Sequence, residues 1–309
     1  MNPTTTSTVP DSTGLGYGVG AYLIWGVMPL YWPLLAPAGV FESLAHRVVW
    51  SLVFVLALIV WTGRWQRFAA IARNPTLVLV LALASITIAA NWGGFIYGVT
   101  SGHVIETSLG YFINPLMTML LGVLVLKERL RAPQWVAVGI GTVAVVILTV
   151  DYGRLPWVAL LVAGSFAIYG FLKKRAGLGT FEGLGMETLL LAPVALTFLT
   201  VLALRGDLAF GQHGATHTLL LMGTGLLTAV PLLLFGAAAT RLPLSTIGIL
   251  QYLGPILQFV LGLVVFGEDM STARWLGFVL VWSALVIFTA DALQHRRRLL
   301  RRTAEASAC

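Results

Sequence analysis

Cysteine is almost absent from this 309-residue chain, because the one cysteine present, Cys309, is the last residue. Internal disulfides, thiol catalysis and cysteine-based metal sites are therefore excluded. Charged residues are also scarce, at 10% of the chain, whereas soluble domains have roughly a quarter. The sequence contains no phosphate-binding loop, HExxH motif or GxSxG motif, so it predicts no cofactor, no metal site and no ATP-driven chemistry.

What the chain has in place of charge is long apolar runs. Hydrophobic residues make up 58% of it, and the mean hydropathy is +0.90. Apolar runs of about 17–25 residues predict transmembrane helices. Ten such runs lie near 15–35, 42–62, 77–100, 104–126, 133–150, 156–172, 183–204, 218–240, 244–266 and 273–293. The first has weak boundaries because it contains Pro29 and Pro33.

The positive charges lie in short loops and a tail rather than on a domain surface, which argues against a nucleic-acid partner despite a net charge of +7. With the N-terminus inside, the predicted inner segments hold 15 Lys and Arg residues and the outer segments hold 3. This positive-inside bias predicts that both termini are cytoplasmic. It also assigns residues 1–14 to a disordered cytoplasmic tail and 294–309 to a basic tail on the anionic inner leaflet of the bilayer.

One stretch of sequence occurs twice, 140 residues apart. Pro, Leu-Gly, Glu and Trp coincide without a gap at Pro115/Pro255, Leu121/Leu261, Gly122/Gly262, Glu128/Glu268 and Trp135/Trp275. Five predicted spans separate equivalent points, so the second copy is inverted in the bilayer. The predicted fold is therefore an all-α integral membrane protein, with ten transmembrane helices arranged as two inverted five-helix repeats over 15–150 and 155–293.

Ionisable groups inside spans cost about 2.5–3.5 kcal/mol on insertion scales, and each is a functional candidate. Glu42, His46 and Arg47 lie at the predicted outer start of the second span, and Glu106 at that of the fourth. Glu42 and His46 share a helix face at the i, i+4 spacing. Arg47 either extends to the outer headgroups or points inward, where it pairs with Glu106 or holds an anionic group of a substrate.

Polar residues also interrupt the spans near the predicted midplane. Polar breaks at matching points of two repeats are the best sequence indication of a transport site. The alternative is that these polar residues form hydrogen bonds between helices. The candidates for substrate contact here are Asn91, Trp92, Tyr111, Asn114, Gln251 and Tyr252. Pro115 and Pro255 are the predicted hinges, because proline removes a helical hydrogen bond.

Two further patterns predict structural roles. Glu128 and Glu268 stand at span ends, where they are expected to cap or close helix junctions. Small residues favour close helix contact, and this is expected at Gly16, Gly18, Gly20, Gly139 and Gly141.

Several of these motifs together resemble the EamA family of the drug/metabolite transporter superfamily, and within it the RarD branch. The motifs that carry the resemblance lie at 42–51, 91–92, 102–103, 106–116, 127–130, 134–135, 241–246 and 251–255. The long run from Glu106 to Leu116 is the most specific. The resemblance implies a ten-helix inverted-repeat fold in the bacterial cytoplasmic membrane, a permease or exporter role, and a link to chloramphenicol sensitivity through the name of the branch.

The leading hypothesis is a secondary transporter of a small metabolite or drug that alternates access between its two repeats. Arg47 and Glu106 would gate the outer end, and proton coupling through His46, Glu42 or Glu106 stays open. An integral membrane enzyme acting on a lipid-linked substrate is the alternative, although such an enzyme needs no inverted second half. A membrane scaffold or sensor is disfavoured, because the sequence predicts no soluble domain through which it could signal. The substrate, the direction of transport, the coupling ion and the oligomeric state, a homodimer included, are left open.

Overall fold

The computed structural model describes residues 12–127 and 130–308, with side chains described except at 126, 244–245 and 296–308. In this part of the chain the secondary structure is helical and contains no strand. The predicted tail over 1–14 and Glu128 fall outside it, apart from residues 12–14, which begin the first helix. The α-helices are α1 (Ser12–Val27), α2 (Val40–Trp61), α3 (Trp65–Ala72), α4 (Pro75–Thr100), α5 (Val104–Leu126), α6 (Ala132–Tyr152), α7 (Trp157–Ala176), α8 (Thr180–Arg205), α9 (Gly214–Ala239), α10 (Leu244–Leu250), α11 (Leu253–Val264) and α12 (Thr272–Ala308).

Nine segments among the described residues are long and apolar enough to cross a membrane. They correspond to the second to tenth predicted spans, with α10 and α11 counted together as Thr246–Val264. In the first predicted span, α1 has only 16 residues. Two short 3₁₀ segments, Met28–Leu30 and Trp32–Leu35, continue it, each with a proline at its start. Proline has no N–H to donate, so the regular helix ends before the predicted span does.

Capping residues in the sequence set several helix ends. Asn74 begins α4 by accepting a hydrogen bond from the Leu77 amide at 3.1 Å, and Pro75 follows in the first turn, where a missing N–H costs nothing. Gly153 ends α6 with a φ of 63°, a left-handed conformation that glycine adopts without strain. These signals fix the short connections that hold the candidate site residues.

The helices group into two compact units, each built from two separate stretches of the chain. Unit 1 comprises Met1–Ile71 and Gly179–Leu257, and unit 2 comprises Ala72–Leu178 and Gln258–Cys309. Each unit therefore takes helices from both predicted repeats. Two of the three boundaries fall inside α3 and α11, and the third lies between α7 and α8. The repeat boundaries at 150 and 155 stay a prediction.

In unit 1, α2 packs against α8 and α9, and α1 packs against α9. Two helix backbones approach closely at Gly225 of α9. A Cβ atom added there would lie 2.5 Å from the Trp50 carbonyl carbon and 2.6 Å from its oxygen. Only glycine allows two helix backbones to approach this closely.

In unit 2, α7 packs against α4 and α5, and α6 packs against α12. Gly110 of α5 has the corresponding close contact, since a Cβ there would lie 2.7 Å from the Ala159 carbonyl oxygen of α7. Small residues thus set the helix separation in both units.

Ion pairs close both ends of the α6–α12 pair. Asp151, at the end of α6, accepts hydrogen bonds from Arg274 Nε at 2.7 Å and Ser271 Oγ at 2.6 Å. At the opposite end, Asp291 of α12 accepts from Arg131 Nε at 3.0 Å. Asp151 and Asp291 are 140 residues apart, the same interval as the sequence repeat (291 − 151 = 140). Equivalent acids therefore occupy equivalent ends of an antiparallel pair.

Replacing Asp151 by Asn and Arg274 by Ala, singly and together, is expected to give a small but favourable coupling free energy, because solvent reaches the pair and screens it. The measurement is a double-mutant cycle on the free energy of unfolding in detergent. A cycle between Asp151 and Arg131, which lie at opposite ends of α6, is the control and should be additive. Equal coupling in both cycles would contradict the assigned pairing.

Candidate functional site

The start of α2 places a buried arginine inside unit 1. Arg47 is only 4% exposed. Its Nε donates to Thr228 Oγ1 of α9 at 3.0 Å, and its guanidinium lies 5.3 Å from the centre of the Trp32 ring. Of the two orientations that the sequence left open, the structure has the inward one. Contact between Arg47 and a substrate stays a prediction.

Glu42, one turn earlier, is also buried. One carboxylate oxygen accepts from the amides of Ala209 and Phe210 at 2.8 and 3.2 Å, in the connection between α8 and α9. Its repeat counterpart Glu182 lies 3.5 Å from Arg64, in the connection between α2 and α3. Each helix of the α2–α8 pair thus uses a first-turn glutamate to hold the connection that follows the other helix.

His46 follows Glu42 by one turn of α2 and is also buried. Its ring stacks on that of Phe210 at a centroid distance of 4.8 Å. Its Nε2 lies 3.8 Å from Glu42 Oε1. The second buried histidine of this region, His217 of α9, contacts the Leu35 carbonyl through Nε2 at 2.8 Å. Sequence reasoning identified His46 but missed His217, which carries no motif of its own.

In unit 2, Asn91 holds three helices together. Its side-chain nitrogen donates to the Val162 carbonyl of α7 at 2.9 Å, and its oxygen accepts from the Tyr111 hydroxyl of α5 at 3.3 Å. Asn91 is 1% exposed, and the adjacent Trp92 is also buried. Both polar groups of the Asn91 side chain are therefore used in interhelical bonding, the alternative role that the sequence left open.

Asn114 differs from Asn91. Its side-chain oxygen is buried and accepts no hydrogen bond from the described residues. Buried polar atoms are nearly always paired, so an orphaned acceptor needs an explanation. The neighbouring Pro115 lies inside α5, which continues through it to Leu126.

The counterpart of this region in the sequence repeat has a visible break. The helix is interrupted at Gln251 and Tyr252, between α10 and α11, and both side chains are partly buried. Pro255 follows in the first turn of α11, where its lack of an N–H is tolerated. The two predicted hinges thus differ locally, and their movement stays a prediction.

Glu106 is held by the connection between α6 and α7. Its two carboxylate oxygens lie 3.3 and 2.7 Å from the Arg154 guanidinium nitrogens, and one also accepts from the Val158 amide at 3.0 Å. Hydrogen bonding to this carboxylate raises the pKa of Arg154. A pairing of Glu106 with Arg47 would join residues of different units and stays a prediction.

Glu106 lines a polar cavity of about 430 Å³ in unit 2. The rings and charges are interleaved, since the Tyr152 ring centre lies 5.6 Å from the Arg154 guanidinium and 4.4 Å from that of Arg274. The polar residues that line the cavity are His103, Glu106, Tyr152, Arg154, Glu268, Asp269 and Arg274. Sequence reasoning treated the two arginines only as loop charges.

Glu268, in the same cavity, caps α5. Its carboxylate accepts hydrogen bonds from the Val104 amide and, at 3.0 Å, from the Ile105 amide. The capping role expected from the sequence is therefore confirmed for Glu268, although the capped helix is α5. Burial raises the pKa of the Glu268 carboxyl, with a further increase from Glu106, while the two amides and Arg274 oppose the increase.

Glu268→Gln is expected to change the pH dependence of stability. Because the folded-state pKa is raised, the stability that Glu268 contributes is fully present below the ordinary glutamate pKa. It is lost as the pH rises through the raised value. The melting temperature of the unmodified protein should therefore fall relative to that of Glu268→Gln across this window. The measurement is thermal unfolding at a series of pH values. Asp269→Asn, an exposed acid one residue away, is the control, and the same pH profile for both variants would contradict the argument.

No group of three or more His, Cys, Asp or Glu side chains in the described part of the chain is arranged to hold a metal ion.

Comparison with known proteins places these features in context. A family model described as the EamA-like transporter family matches residues 12–150. "Protein RarD" of Streptomyces exfoliatus is 52% identical over 286 residues, which cover 93% of this chain and 91% of that protein. "Chloramphenicol-sensitive protein RarD" of Pseudomonas aeruginosa is 30% identical over 294 residues, which cover 94% of this chain and 97% of that protein.

A solved structure, "Crystal structure of protein", is similar in fold. It has a TM-score of 0.56 at 17% identity and covers 89% of this chain and 96% of its own. At this identity the likeness concerns the fold alone.

Proposed function

Because the chain belongs to the RarD branch of the EamA-like transporter family, we propose that this multi-pass membrane transporter moves a small metabolite or drug by secondary-active transport. The proposed mechanism is alternating access between two inverted five-helix repeats in the bacterial cytoplasmic membrane. ATP plays no part, since the sequence has no nucleotide-binding motif.

The observation that carries the proposal is the mirrored pairing of helices inside each unit. The repeat relates α2 to α8 and α6 to α12, and each of these helices packs against its own counterpart. It also relates α1 to α7 and α4 to α9, and the pair α1–α9 recurs as α7–α4. The equivalent acids Asp151 and Asp291 close equivalent ends of one pair. This pattern supports a duplication with inversion, the architecture on which alternating access is built.

The proposed topology has ten spans. The first consists of α1 together with the 3₁₀ segments that end at Leu35, and the nine longer helical segments follow. The 15 to 3 distribution of Lys and Arg supports cytoplasmic termini. Contact of the basic tail with anionic lipid and formation of a homodimer remain parts of the proposal.

Asn114 is the residue that best fits substrate contact. Its buried oxygen, which has no partner among the described residues, offers an acceptor to a hydroxyl or amide donor of a bound molecule. Chloramphenicol, which carries hydroxyl and amide donors, is a suitable first probe because one relative is named for sensitivity to it.

The first experiment measures uptake of labelled chloramphenicol and of a metabolite panel by proteoliposomes. Asn114→Ala is expected to lower uptake about tenfold or more with little change in melting temperature, because no hydrogen bond to the side-chain oxygen is lost. Asn91→Ala is the matched control and should lower the melting temperature, since it breaks two interhelical bonds. Uptake unchanged in Asn114→Ala would remove Asn114 from the site.

The second experiment tests alternating access directly. Asn114→Cys in a Cys309→Ser background gives a chain whose single cysteine is at position 114. We expect membrane-impermeant thiol reagents to reach it from either side of the membrane. Access from one side alone under every condition would contradict the mechanism.

A further inference from the structure

Two histidines in unit 1 have buried ring nitrogens that no hydrogen bond from the described residues satisfies. His46 is 4% exposed and His217 is 6% exposed. Within the described part of the chain, neither ring nitrogen of His46 has a hydrogen-bond partner, and Nδ1 of His217 also has none. Buried polar atoms rarely lack a hydrogen-bond partner, and the proposed substrate site does not explain why these ring nitrogens do.

The contact of His217 with Leu35 fixes its tautomer. Nε2 lies 2.8 Å from a carbonyl oxygen, which can only accept. Nε2 must therefore carry the hydrogen, and the lone pair of the neutral ring is on Nδ1. His217 thus presents a basic nitrogen that is buried and available to a proton.

His46 is placed to accept a positive charge. Its Nε2 lies 3.8 Å from a carboxylate oxygen of Glu42, and that carboxylate is fixed by the Ala209 and Phe210 amides. Protonation would turn this contact into a buried ion pair. The Phe210 ring stacked on the imidazole would also favour the cationic form.

The other charges around His46 limit the site to one proton. Arg47 is bound to Thr228 on α9, and its fixed positive charge opposes accumulation of further positive charge. His46 and His217 oppose each other in the same way. The titratable groups on the elements packed around His46 are Glu42 and Arg47 on α2, Glu182, Glu187 and Arg205 on α8, Asp207 in the connection after α8, and His213 and His217 at the start of α9; the 3₁₀ segment Trp32–Leu35 has none.

We propose that His46 and His217, with Glu42 as the counter-charge, form a binding site for one proton in unit 1, and that this proton is the coupling ion of transport. The coupling part rests on the proposed function, whereas the proton-binding part does not. Both histidines lie close to the predicted outer connections of α2 and α9, so the proton would enter from outside.

The binding part is tested by NMR titration of the full-length protein in nanodiscs, with ¹³C-labelled histidine rings. Each of the five histidines is assigned by its own His→Gln variant. The His46 signal should report protonation of the ring as the pH is lowered. In Glu42→Gln the midpoint of His46 should fall by about one pH unit or more, a tenfold loss of proton affinity. His295, exposed on α12, is the control that Glu42→Gln should leave unchanged. A His46 signal that does not titrate, or that ignores Glu42→Gln, would overturn the site.

The coupling part is tested without knowledge of the substrate. The single cysteine at position 114 is labelled from each side at two pH values, one below and one above the His46 midpoint that the titration gives. The balance between the two sides should shift with pH, and His46→Gln and His46→Asn should both abolish the shift. A pH-independent balance before mutation, or a shift that survives both variants, would overturn coupling. Labelling from one side alone at both pH values would instead contradict alternating access, while the titration still decides the proton site.

Discussion

Gly225→Ala is expected to lower the stability of the protein by about 3 kcal/mol, the upper end of the usual cost of overpacking. The added Cβ would lie 2.5 Å from the Trp50 carbonyl carbon, 2.6 Å from its oxygen and 2.7 Å from Phe54 Cδ2. A side chain can change rotamer to relieve such a contact, but the backbone of α2 cannot. Relief therefore requires α2 and α9 to separate, and much of the apolar contact along the pair would be lost.

Gly139→Ala on α6 is the matched control. A Cβ at that position meets no atom within 4 Å, and alanine is a better helix former than glycine by about 0.5–1 kcal/mol. Gly225→Ala should therefore lower the stability of the protein, whereas Gly139→Ala should raise it. Melting temperature in detergent and the monodisperse fraction on size-exclusion chromatography are the measurements. Equal effects at the two positions would show that helix propensity, not packing, decides the outcome.

Glu106→Ala is expected to lower stability by about 2 kcal/mol, mainly because it leaves the buried Val158 amide without its acceptor. Glu106 is 1% exposed. Its loss would leave the Val158 amide without its acceptor and Arg154 without its counter-charge. The connection between α6 and α7 would be loosened as a result.

Glu106→Gln separates the two losses. It keeps an acceptor for the Val158 amide and removes only the charge, so a smaller decrease in melting temperature is expected. Arg205→Ala, an exposed residue at the end of α8, is the control and should have little effect. If Glu106 served only the substrate, Glu106→Ala would reduce uptake and leave the melting temperature unchanged, which would contradict its structural role.

Local signals in the sequence predicted most of the helices. Apolar runs located the nine membrane-length segments found in the described part of the chain, and Pro29 and Pro33 marked the first predicted span as irregular. Contacts between helices depend on residues distant in sequence and could not be predicted in the same way. Close contact was expected at five glycines. The expectation is confirmed at Gly18 and Gly141, where a Cβ would meet a leucine side chain within 3 Å, but wrong at Gly16 and Gly139, which have open space. At Gly20 a Cβ would make only ordinary van der Waals contact, 3.5 Å from Leu234 Cδ1.

For the candidate site too, the sequence predicted individual residues but not the distant residues that they contact. Because burying an ionisable group inside a span is costly, the sequence alone was enough to identify Glu42, His46, Arg47 and Glu106. Their partners are residues with no motif of their own. Arg154 follows directly on Gly153, which ends α6 in a left-handed turn, and His217 is 171 residues after His46 (217 − 46 = 171). The 140-residue interval between Asp151 and Asp291 was the one signal that could have predicted the ion pairs of α6 and α12.

The α6–α12 pair also has a consequence for synthesis of the chain. The ribosome completes α6 at Tyr152, whereas α12 begins only at Thr272. At about 5–20 residues per second, α6 would wait on the order of ten seconds for its partner. During that time Arg131 and Asp151 would lack the partners that they have in the finished protein. A nascent chain stalled before residue 272 should therefore be the form most exposed to membrane quality-control proteases, and release of the last helix from the translocon would end that exposure.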